Sequence, residues 1–324
     1  MSVYIFKRLL MIVPVILGVT FIIFTIMNIT PGDPAIMILG EGAKPEEYEA
    51  LRRAMGLDDP FFVRYFRYVW NALQGDFGRS YRTNIPVFQE IAVRFPYTLY
   101  MALFSTIIAV VIGLPIGVLS AVRQYTLSDN AALGVSLLLT SMPTFWLAMM
   151  LVLIFALRMK WFPSLGIDTW RHFVLPSIAT SAATMASLLR MTRSTMLEVI
   201  RQDYIRTARA KGSREIQVIF GHALRNALLP VVTVIGVNFG VALGGTIVVE
   251  QVFAIPGLGQ LIVNAIRSRD TPMVIASVLF AAIIACVVNL LVDIVYVYID
   301  PRLKSKYVRI KVKNGVKGVK KVAL

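Results

Sequence analysis

The chain has 324 residues, of which 57% are hydrophobic and only 16% charged, a balance outside that of soluble globular domains. The formal charge of +15 does not indicate nucleic-acid binding, because nine Lys and Arg residues lie in segment 302–324, directly after an apolar run. Such a tail either contacts anionic lipid or is simply solvated, and both interpretations stay open. The composition predicts an all-α polytopic membrane protein, and its one cysteine, Cys286, excludes an internal disulfide.

Six apolar runs are long enough to cross a hydrocarbon core of about 30 Å, which takes roughly 20 helical residues. In chain order they cover residues 9–29, 98–122, 131–157, 174–191, 227–249 and 273–299. The first run follows Lys7 and Arg8, as a secretory signal would, but its length favours a membrane anchor. The fourth run is the weakest, because it is short and rich in hydroxyls, so hydropathy by itself predicts five or six spans.

The distribution of basic residues predicts the orientation of these spans. With the amino terminus inside, cytoplasmic stretches hold 20 of the 33 Lys and Arg residues and outer stretches hold 13. Eight of those 13 lie in residues 30–97, a loop too long to count, so the informative comparison is 20 against 5. Both termini are therefore expected in the cytoplasm of a prokaryotic cell, with the chain in its inner or plasma membrane.

The chain is expected to divide into four parts. Residues 1–30 hold the amino-terminal end and the first span, and residues 31–97 form an extracytoplasmic loop with short helices. Pro31-Gly32-Asp33-Pro34 should end the first helix, and residues 45–55 and 61–73 should each form a small helix on the outer surface. Residues 98–300 form the core with five spans, and residues 301–324 form the basic cytoplasmic tail.

Within the core, residues 195–226 connect the fourth and fifth spans on the cytoplasmic side. Two apolar stripes at helical spacing flank Gly212, which suits a helix-ending residue of positive φ. The pattern predicts two amphipathic helices joined by a glycine turn. The first stripe contains Leu197, Ile200, Tyr204 and Ala208, and the second contains Ile216, Ile219, Ala223 and Ala227.

Small and hydroxyl residues mark faces of two spans. In the fifth span glycines recur every four residues at Gly236, Gly240 and Gly244, which favours close packing of helices. On the fourth span one face carries five hydroxyls, and for these the sequence leaves packing and lining of a solute pathway equally open. They are Ser177, Thr180, Ser181, Thr184 and Ser187.

Asp293 is the only acid inside a predicted span, and Asn289 precedes it by one helical turn. An ionisable group within a membrane indicates function, because its charge is costly there. The helix should end at Asp300-Pro301, however, which places Asp293 about 10 Å from the cytoplasmic boundary. This position favours a structural polar pair of Asn289 and Asp293 over a proton relay.

No catalytic or metal-binding constellation is predicted. His172 and His222 fall on opposite sides of the membrane in this topology, so they cannot share a metal ion or a nucleophile. The sequence also has no GxxxxGK[ST] run to hold nucleotide phosphates. The chain is therefore not expected to be an enzyme or to bind a cofactor, and an intramembrane enzyme lacks a nucleophile and base at matching depth.

The run from Asp203 to Gly212, followed by residues 223–230, resembles the conserved cytoplasmic loop of ABC importer permeases. Arg206-Thr207-Ala208 stands where that loop has Glu-Ala-Ala, and the distance from Gly212 to Leu229-Pro230 is longer than usual. Both departures are similar to the dipeptide and oligopeptide branch. Further similar landmarks, in order, are Pro31-Gly32-Asp33-Pro34, Gly56-Leu57-Asp58, Gly75-Asp76-Phe77-Gly78, Pro143-Thr144-Phe145-Trp146, Glu250-Gln251-Val252-Phe253, Pro256-Gly257-Leu258-Gly259 and Asp300-Pro301-Arg302.

This resemblance covers nearly the whole chain and implies a type I ABC importer permease fold, in the subunit with the longer first external loop. It implies a second homologous permease subunit, two ATP-binding subunits that hold ATP and magnesium, and an extracytoplasmic solute-binding protein. The solute would be a peptide, or nickel, glutathione or an oligosaccharide, among which the sequence does not choose. Coupling to the ATPases would use Arg206, Thr207, Ala208, Arg209, Lys211, Gly212 and Arg214.

The alternative is a secondary transporter driven by an ion gradient. Such a protein needs ionisable groups near the membrane midplane, and this sequence offers only the off-centre Asp293.

Overall fold

The computed structural model describes residues 2–30, 32–40, 42–244 and 246–299. The basic tail, Pro31 and the Asp300-Pro301 pair lie outside the described residues. The described part is built from α-helices, with two π-helical segments, one short 3₁₀ helix and no strand. The α-helices are α1 (Ser2–Ile29), α2 (Pro34–Leu39), α3 (Pro45–Ala54), α4 (Phe61–Leu73), α5 (Val87–Val122), α6 (Leu127–Ser141), α7 (Thr144–Leu151), α8 (Val174–Ile200), α9 (Asp203–Ala210), α10 (Leu224–Leu243), α11 (Ile247–Val252), α12 (Leu258–Arg267) and α13 (Thr271–Ile299).

Five helical segments of the described chain are long and apolar enough to cross a membrane: Arg8–Ile29, Val87–Val122, Trp170–Ile200, Gln217–Leu243 and Thr271–Val295. A sixth span is obtained if the bent pair of Leu127–Ser141 and Thr144–Arg158 is counted as one. The all-α fold with five or six spans is thus confirmed. The fourth apolar run, the weakest by sequence, is a complete 27-residue helix.

The third apolar run is the one that fails as a straight span. The chain bends by 102° between Leu127–Ser141 and Thr144–Arg158. Pro143 lacks an amide hydrogen and restricts the residue before it, and Met142 accordingly has extended backbone with ψ 125°. Beyond the bend, α7 continues into a π-helical segment, Val152–Arg158. The predicted span over 131–157 is therefore broken in two by this bend, and it counts as one span only if both arms are taken together.

The fifth span was also predicted too long. α10 ends at Leu243 rather than at residue 249, and a separate short helix, α11, follows. Gly244 lies at this break, where glycine disfavours continued helix. In contrast, α5 starts at Val87, well before residue 98, and its 36 residues span about 54 Å. Its first turns therefore extend beyond a hydrocarbon core of about 30 Å.

Glycines allow close packing of two helix pairs. A Cβ atom at Gly117 of α5 would lie 2.7 Å from Thr192 Cβ on α8, which no side chain could accommodate without a shift. A Cβ atom at Gly236 of α10 would lie 2.0 Å from Val292 Cγ2 on α13, and one at Gly240 would lie 3.5 Å from Val288 Cγ1. Packing is thus the observed role of Gly236 and Gly240.

The segment between the first two spans contains the short helices predicted from its sequence, α3 and α4, with α2 before them. Aromatic rings fix α4 against α1: the centroid of Tyr65 lies 5.4 Å from that of Phe21 and 5.6 Å from that of Phe24. The Tyr65 hydroxyl donates to the carbonyl of Leu17 at 3.1 Å. These contacts anchor α4 to the first span.

Candidate functional site

The connection between α8 and α10 contains a short helix ended by a glycine turn. α8 ends at Ile200, the chain turns at Arg201 and Gln202, and α9 runs from Asp203 to Ala210. Gly212 has φ +79°, a value that favours glycine, and its N–H donates to the carbonyl of Arg209 at 2.9 Å. The predicted glycine turn of positive φ is confirmed.

The buried side of α9 differs from the predicted stripe. Ile205 is 0% exposed, whereas Tyr204 is 45% exposed and Ile216 is 72% exposed. The turn at residues 201–202 interrupts α8, so the helical phase of α9 is shifted by one residue and Ile205 takes the inward position. Tyr204 and Ile216 were therefore wrongly assigned to the apolar stripes.

Ile205 contacts the ends of three long helices. It packs in one cluster with Val118 of α5, Met196 of α8, and Val218 and Ala223 just before α10. The second predicted amphipathic helix is a π-helical segment, Gln217–Ala223, that continues directly into α10. Because α9 is seated on all three helix ends, a displacement of α9 must be transmitted to them or must break this cluster.

Six of the seven residues predicted to couple the chain to ATPases are exposed: Arg206, Thr207, Arg209, Lys211, Gly212 and Arg214. The seventh, Ala208, is half-buried against the chain's own Ile205 cluster. These residues form a basic turn around Gly212. A partner protein could contact this turn, because its basic side chains are exposed.

One ion pair braces the basic turn. Arg209 donates from Nε and Nη2 to the two carboxylate oxygens of Glu215 at 3.1 and 2.6 Å. These hydrogen bonds hold the pKa of the Glu215 carboxyl below its usual value and raise the pKa of Arg209. Lys211 and Arg214 have no carboxylate within 4.0 Å in the described part of the chain. The turn thus carries uncompensated positive charge.

The hydroxyl face of α8 is turned mostly toward neighbouring helices. Ser177 and Ser181 are buried, and Thr180, Thr184 and Ser187 are half-buried. The Ser181 hydroxyl donates to the Ile178 carbonyl at 2.9 Å. The hydroxyl oxygens of Ser177 and Thr180 have no hydrogen-bond partner among the described residues. A pathway-lining role for this face stays a prediction.

Asp293 forms an ion pair with Arg8, a partner that no sequence pattern indicated. Arg8 Nη1 of α1 lies 2.8 Å from Asp293 Oδ2, with the two side chains 42% and 26% exposed. Asn289 is exposed one turn earlier on α13. The partner of Asp293 is therefore Arg8, and the contact ties the first helix to the last.

A second ion pair, also missed by sequence, joins α6 to α8. Asp129, 0% exposed near the start of α6, accepts from Arg193 Nε and Nη2 of α8 at 2.7 and 2.8 Å. It also accepts from the Ser120 hydroxyl and from the Tyr125 N–H. Both carboxylate oxygens are thus satisfied, as a buried charge requires. The network holds the α5–α6 turn on α8.

Glu250 of α11 organises the opposite end of the core. It is 0% exposed, and it accepts from the Thr98 hydroxyl of α5 and from the Gln260 N–H of α12, each at 2.8 Å. Burial raises the pKa of its carboxyl above the usual value despite these bonds. A Cβ atom at Gly257 would lie 2.4 Å from Glu250 Cδ, so any other residue there would displace the carboxylate from its hydrogen bonds. The only sequence signals were the two family landmarks that contain Glu250 and Gly257.

The two histidines are far apart in the chain, and no three His, Cys, Asp or Glu side chains of the described residues gather as a metal site would need. His172 contacts Thr169 through Nδ1 at 3.0 Å and so forms part of the cap of the short helix Trp170–Phe173.

Comparison with known proteins gives matches over nearly the whole chain. The family model described as "Binding-protein-dependent transport system inner membrane component" matches residues 113–305, and the model of its N-terminal part matches residues 1–102. The glutathione transport system permease protein GsiC of Escherichia coli is 40% identical over 303 residues, covering 94% of this chain and 99% of that protein. The oligopeptide transport system permease protein AppB of Bacillus subtilis is 41% identical over 315 residues, covering 94% and 100%.

A solved structure supports the same fold. An inward-facing conformation of the MetNI methionine ABC transporter aligns with a TM-score of 0.56 at 21% identity, covering 66% of this chain and 98% of the matched chain. These comparisons give no support to a secondary transporter. With its several apolar helices, the chain is a multi-pass inner-membrane protein, and it belongs to the family of inner membrane components of binding-protein-dependent transport systems.

Proposed function

We propose that this chain forms half of the solute pathway of an ATP-driven importer and that its basic turn, residues 206–214, receives the motion of separate ATPase subunits. The observation that carries this proposal is the packing of α9. Ile205 is fully buried among the ends of α5, α8 and α10, while the residues around Gly212 are exposed. A partner that engages the turn would therefore act on three helices at once.

The complex would contain a second homologous permease subunit, two ATP-binding subunits that carry ATP and magnesium, and an extracytoplasmic solute-binding protein. Both termini and the basic turn would face the cytoplasm, as the charge bias supports. Closure of the ATPase pair would favour one arrangement of the helices only through contacts that differ between the two states. The contacts that could differ between the two states are those of the Ile205 cluster and of the Asp129–Arg193 network.

The solute would be a peptide or a glutathione-like molecule, since the two relatives above are named for oligopeptide and glutathione transport. The hydroxyl face of α8, from Ser177 to Ser187, would line the pathway when the helices separate. The unpartnered hydroxyl oxygens of Ser177 and Thr180 support this assignment, because they would gain hydrogen bonds from water or solute in an open state.

The first test compares energy sources. The chain is reconstituted in liposomes by itself, and then with its partner permease, ATPases and binding protein. Uptake should require ATP and the full complex. Uptake by the isolated chain under a proton or sodium gradient would overturn the proposal.

The second test concerns the basic turn. Lys211→Glu combined with Arg214→Glu should reduce co-purification of the ATPase subunits and binding-protein-stimulated ATP hydrolysis, because both reverse uncompensated charges. Lys44→Glu combined with Arg53→Glu, at the start of α3 and within it, makes the same change of charge away from this turn and should leave both measurements unchanged. Equal effects of the two variants would show that the basic turn is not the coupling site.

A further inference from the structure

An open cleft of about 660 Å³ lies at the end of the molecule opposite the basic turn. One wall is the segment from Ser80 to Arg94, which contains a turn and the start of α5. The other wall is the last turn of α12 and the residues leading into α13. Its volume lies within the range of small-molecule sites in proteins, roughly 300 to 1,000 Å³.

Both carboxylates of the cleft are already engaged by the chain. Glu90 lies 3.2 Å from Arg94 one helical turn later, and their side chains are 17% and 28% exposed. Asp270 is 4% exposed, and it accepts from the Ser80 hydroxyl and from the Tyr81 N–H at 3.2 Å. Glu90 is thus paired with a cation, whereas Asp270 is held by neutral donors, so the three arginines and two carboxylates that line the cleft leave one net positive charge.

Two arginines of the cleft form no ion pair among the described residues. Arg82 stands on one wall and Arg267 on the other, and both side chains are exposed. In the described part of the chain neither has a carboxylate within 4.0 Å. Thr83 and Asn264 beside them offer neutral hydrogen-bonding groups. Guanidinium forks in this setting match the geometry of a carboxylate, which they bind through two parallel hydrogen bonds.

The walls that carry these arginines are fixed before any ligand arrives. Val87 and Ile91 of α5 are 0% and 1% exposed and share one cluster with Leu261 and Ala265 of α12. The Arg82 N–H and the Thr83 N–H both donate to Ser80 Oγ, at 3.2 and 3.1 Å, and Ser80 is itself bonded to Asp270. A ligand in the cleft would thus order only side-chain ends, which lowers the entropy cost of binding.

We propose that this cleft is a carboxylate-binding site at the outer mouth of the permease, with Arg82 and Arg267 as the binding residues. The carboxylate belongs either to the solute or to an acidic side chain of the solute-binding protein. The choice between these two sources rests on the proposed import function. The presence of the site does not, because the chemistry of the cleft can be probed without transport.

The first experiment measures the local charge directly. Asn264→Cys in a Cys286→Ala background places one thiol in the cleft of the assembled complex. Its rate of reaction is compared for an anionic sulfonate reagent and a cationic trimethylammonium reagent of similar size. Adding Arg82→Gln and Arg267→Gln should lower the anionic-to-cationic rate ratio on the order of ten-fold. Arg269→Gln, an exposed neighbour that does not line the cleft, is the matched control.

Protection of the same thiol identifies the ligand class. A dipeptide with a free carboxylate should slow modification, and its amidated form should not. If neither the rate ratio nor protection differs between the double variant and Arg269→Gln, the cleft is not a carboxylate site.

The second experiment assigns the source of the carboxylate in proteoliposomes. If it belongs to the binding protein, the double variant raises the half-saturating binding-protein concentration about three- to ten-fold for all solutes. If it belongs to the solute, uptake of free-acid peptides falls while uptake of amidated peptides persists. Arg82→Lys and Arg267→Lys, which keep charge but lose the fork, should restore part of the activity. If the double variant takes up solute like Arg269→Gln, the cleft has no carboxylate-binding role in transport. If the unaltered complex shows no ATP-driven uptake, the proposed import function is refuted. In that case the thiol experiment by itself decides whether the cleft binds carboxylates.

Discussion

Replacement of Gly212 by valine tests whether the shape of the basic turn couples this chain to its partners. The residue has φ +79°, and a Cβ atom built there would meet nothing within 4 Å. The cost of a side chain is therefore purely conformational, about 1–2 kcal/mol for a left-handed residue and more when the residue is β-branched. A cost of that size reduces the population of the native turn roughly 5- to 30-fold.

Gly221 provides a matched control within the same segment. It is exposed, a Cβ atom there also meets nothing within 4 Å, and it lies in the helical segment Gln217–Ala223 without a positive φ. Gly221→Val should thus be neutral or slightly stabilising, because valine forms helix better than glycine. Gly212→Asn should fall between the two valine variants, since asparagine tolerates the left-handed region.

The measurements are membrane insertion, co-purification of the ATPase subunits, binding-protein-stimulated ATP hydrolysis and uptake. Insertion of Gly212→Val should be normal, because the spans are unchanged, while the other three should fall in step with the loss of the native turn. If Gly212→Val matched Gly221→Val in ATPase binding and stimulated hydrolysis, the coupling site would lie elsewhere.

Three further predictions follow from the same structure. Single cysteines at Glu47 and Ser213, in an otherwise cysteine-free chain, should be labelled from opposite sides of the membrane, and same-side labelling would contradict the predicted topology. Asp293→Asn should leave most ATP-driven uptake, because the amide can still accept from Arg8; complete loss in a normally assembled complex would instead indicate proton transfer. The ion pair of Glu215 should contribute at pH values above the usual 4.5 of its carboxyl and be lost only as pH falls further, because its pKa is lowered in the folded chain. The side chain is half-exposed, so the effect on ATPase co-purification should be small, and a decline between pH 7 and 6 would require another group.

Properties that depend on residues close together along the chain could be predicted from the sequence. Spans were predictable because a membrane-crossing helix needs about 20 consecutive apolar residues, and five or six such segments are present. The short helices α3 and α4 and the positive φ of Gly212 were predictable for a similar reason, since caps, turns and amphipathic spacing act within a few residues.

Local signals also explain the errors. The bend of 102° at Met142 and Pro143 lies inside an apolar run that hydropathy treats as uniform, although the proline itself marked the break. Ile205 replaced Tyr204 on the buried side of α9 because a two-residue turn after α8 changed the helical phase. A periodicity carried across such a turn can assign a later residue to the wrong face, as it did Tyr204, while Ala208 is still on the buried side.

Contacts between distant helices were decided only by the tertiary structure. Arg8 and Asp293 meet because α1 and α13 are neighbours, and Asp129 meets Arg193 because α8 packs on α6. A charge buried within a bundle is tolerable only where a partner satisfies it, and the identity of that partner depends on helix packing rather than on spacing along the chain. The sequence therefore identified Asp293 as a side chain that needs a partner and missed Asp129, and the three-dimensional arrangement alone determined which partner each received.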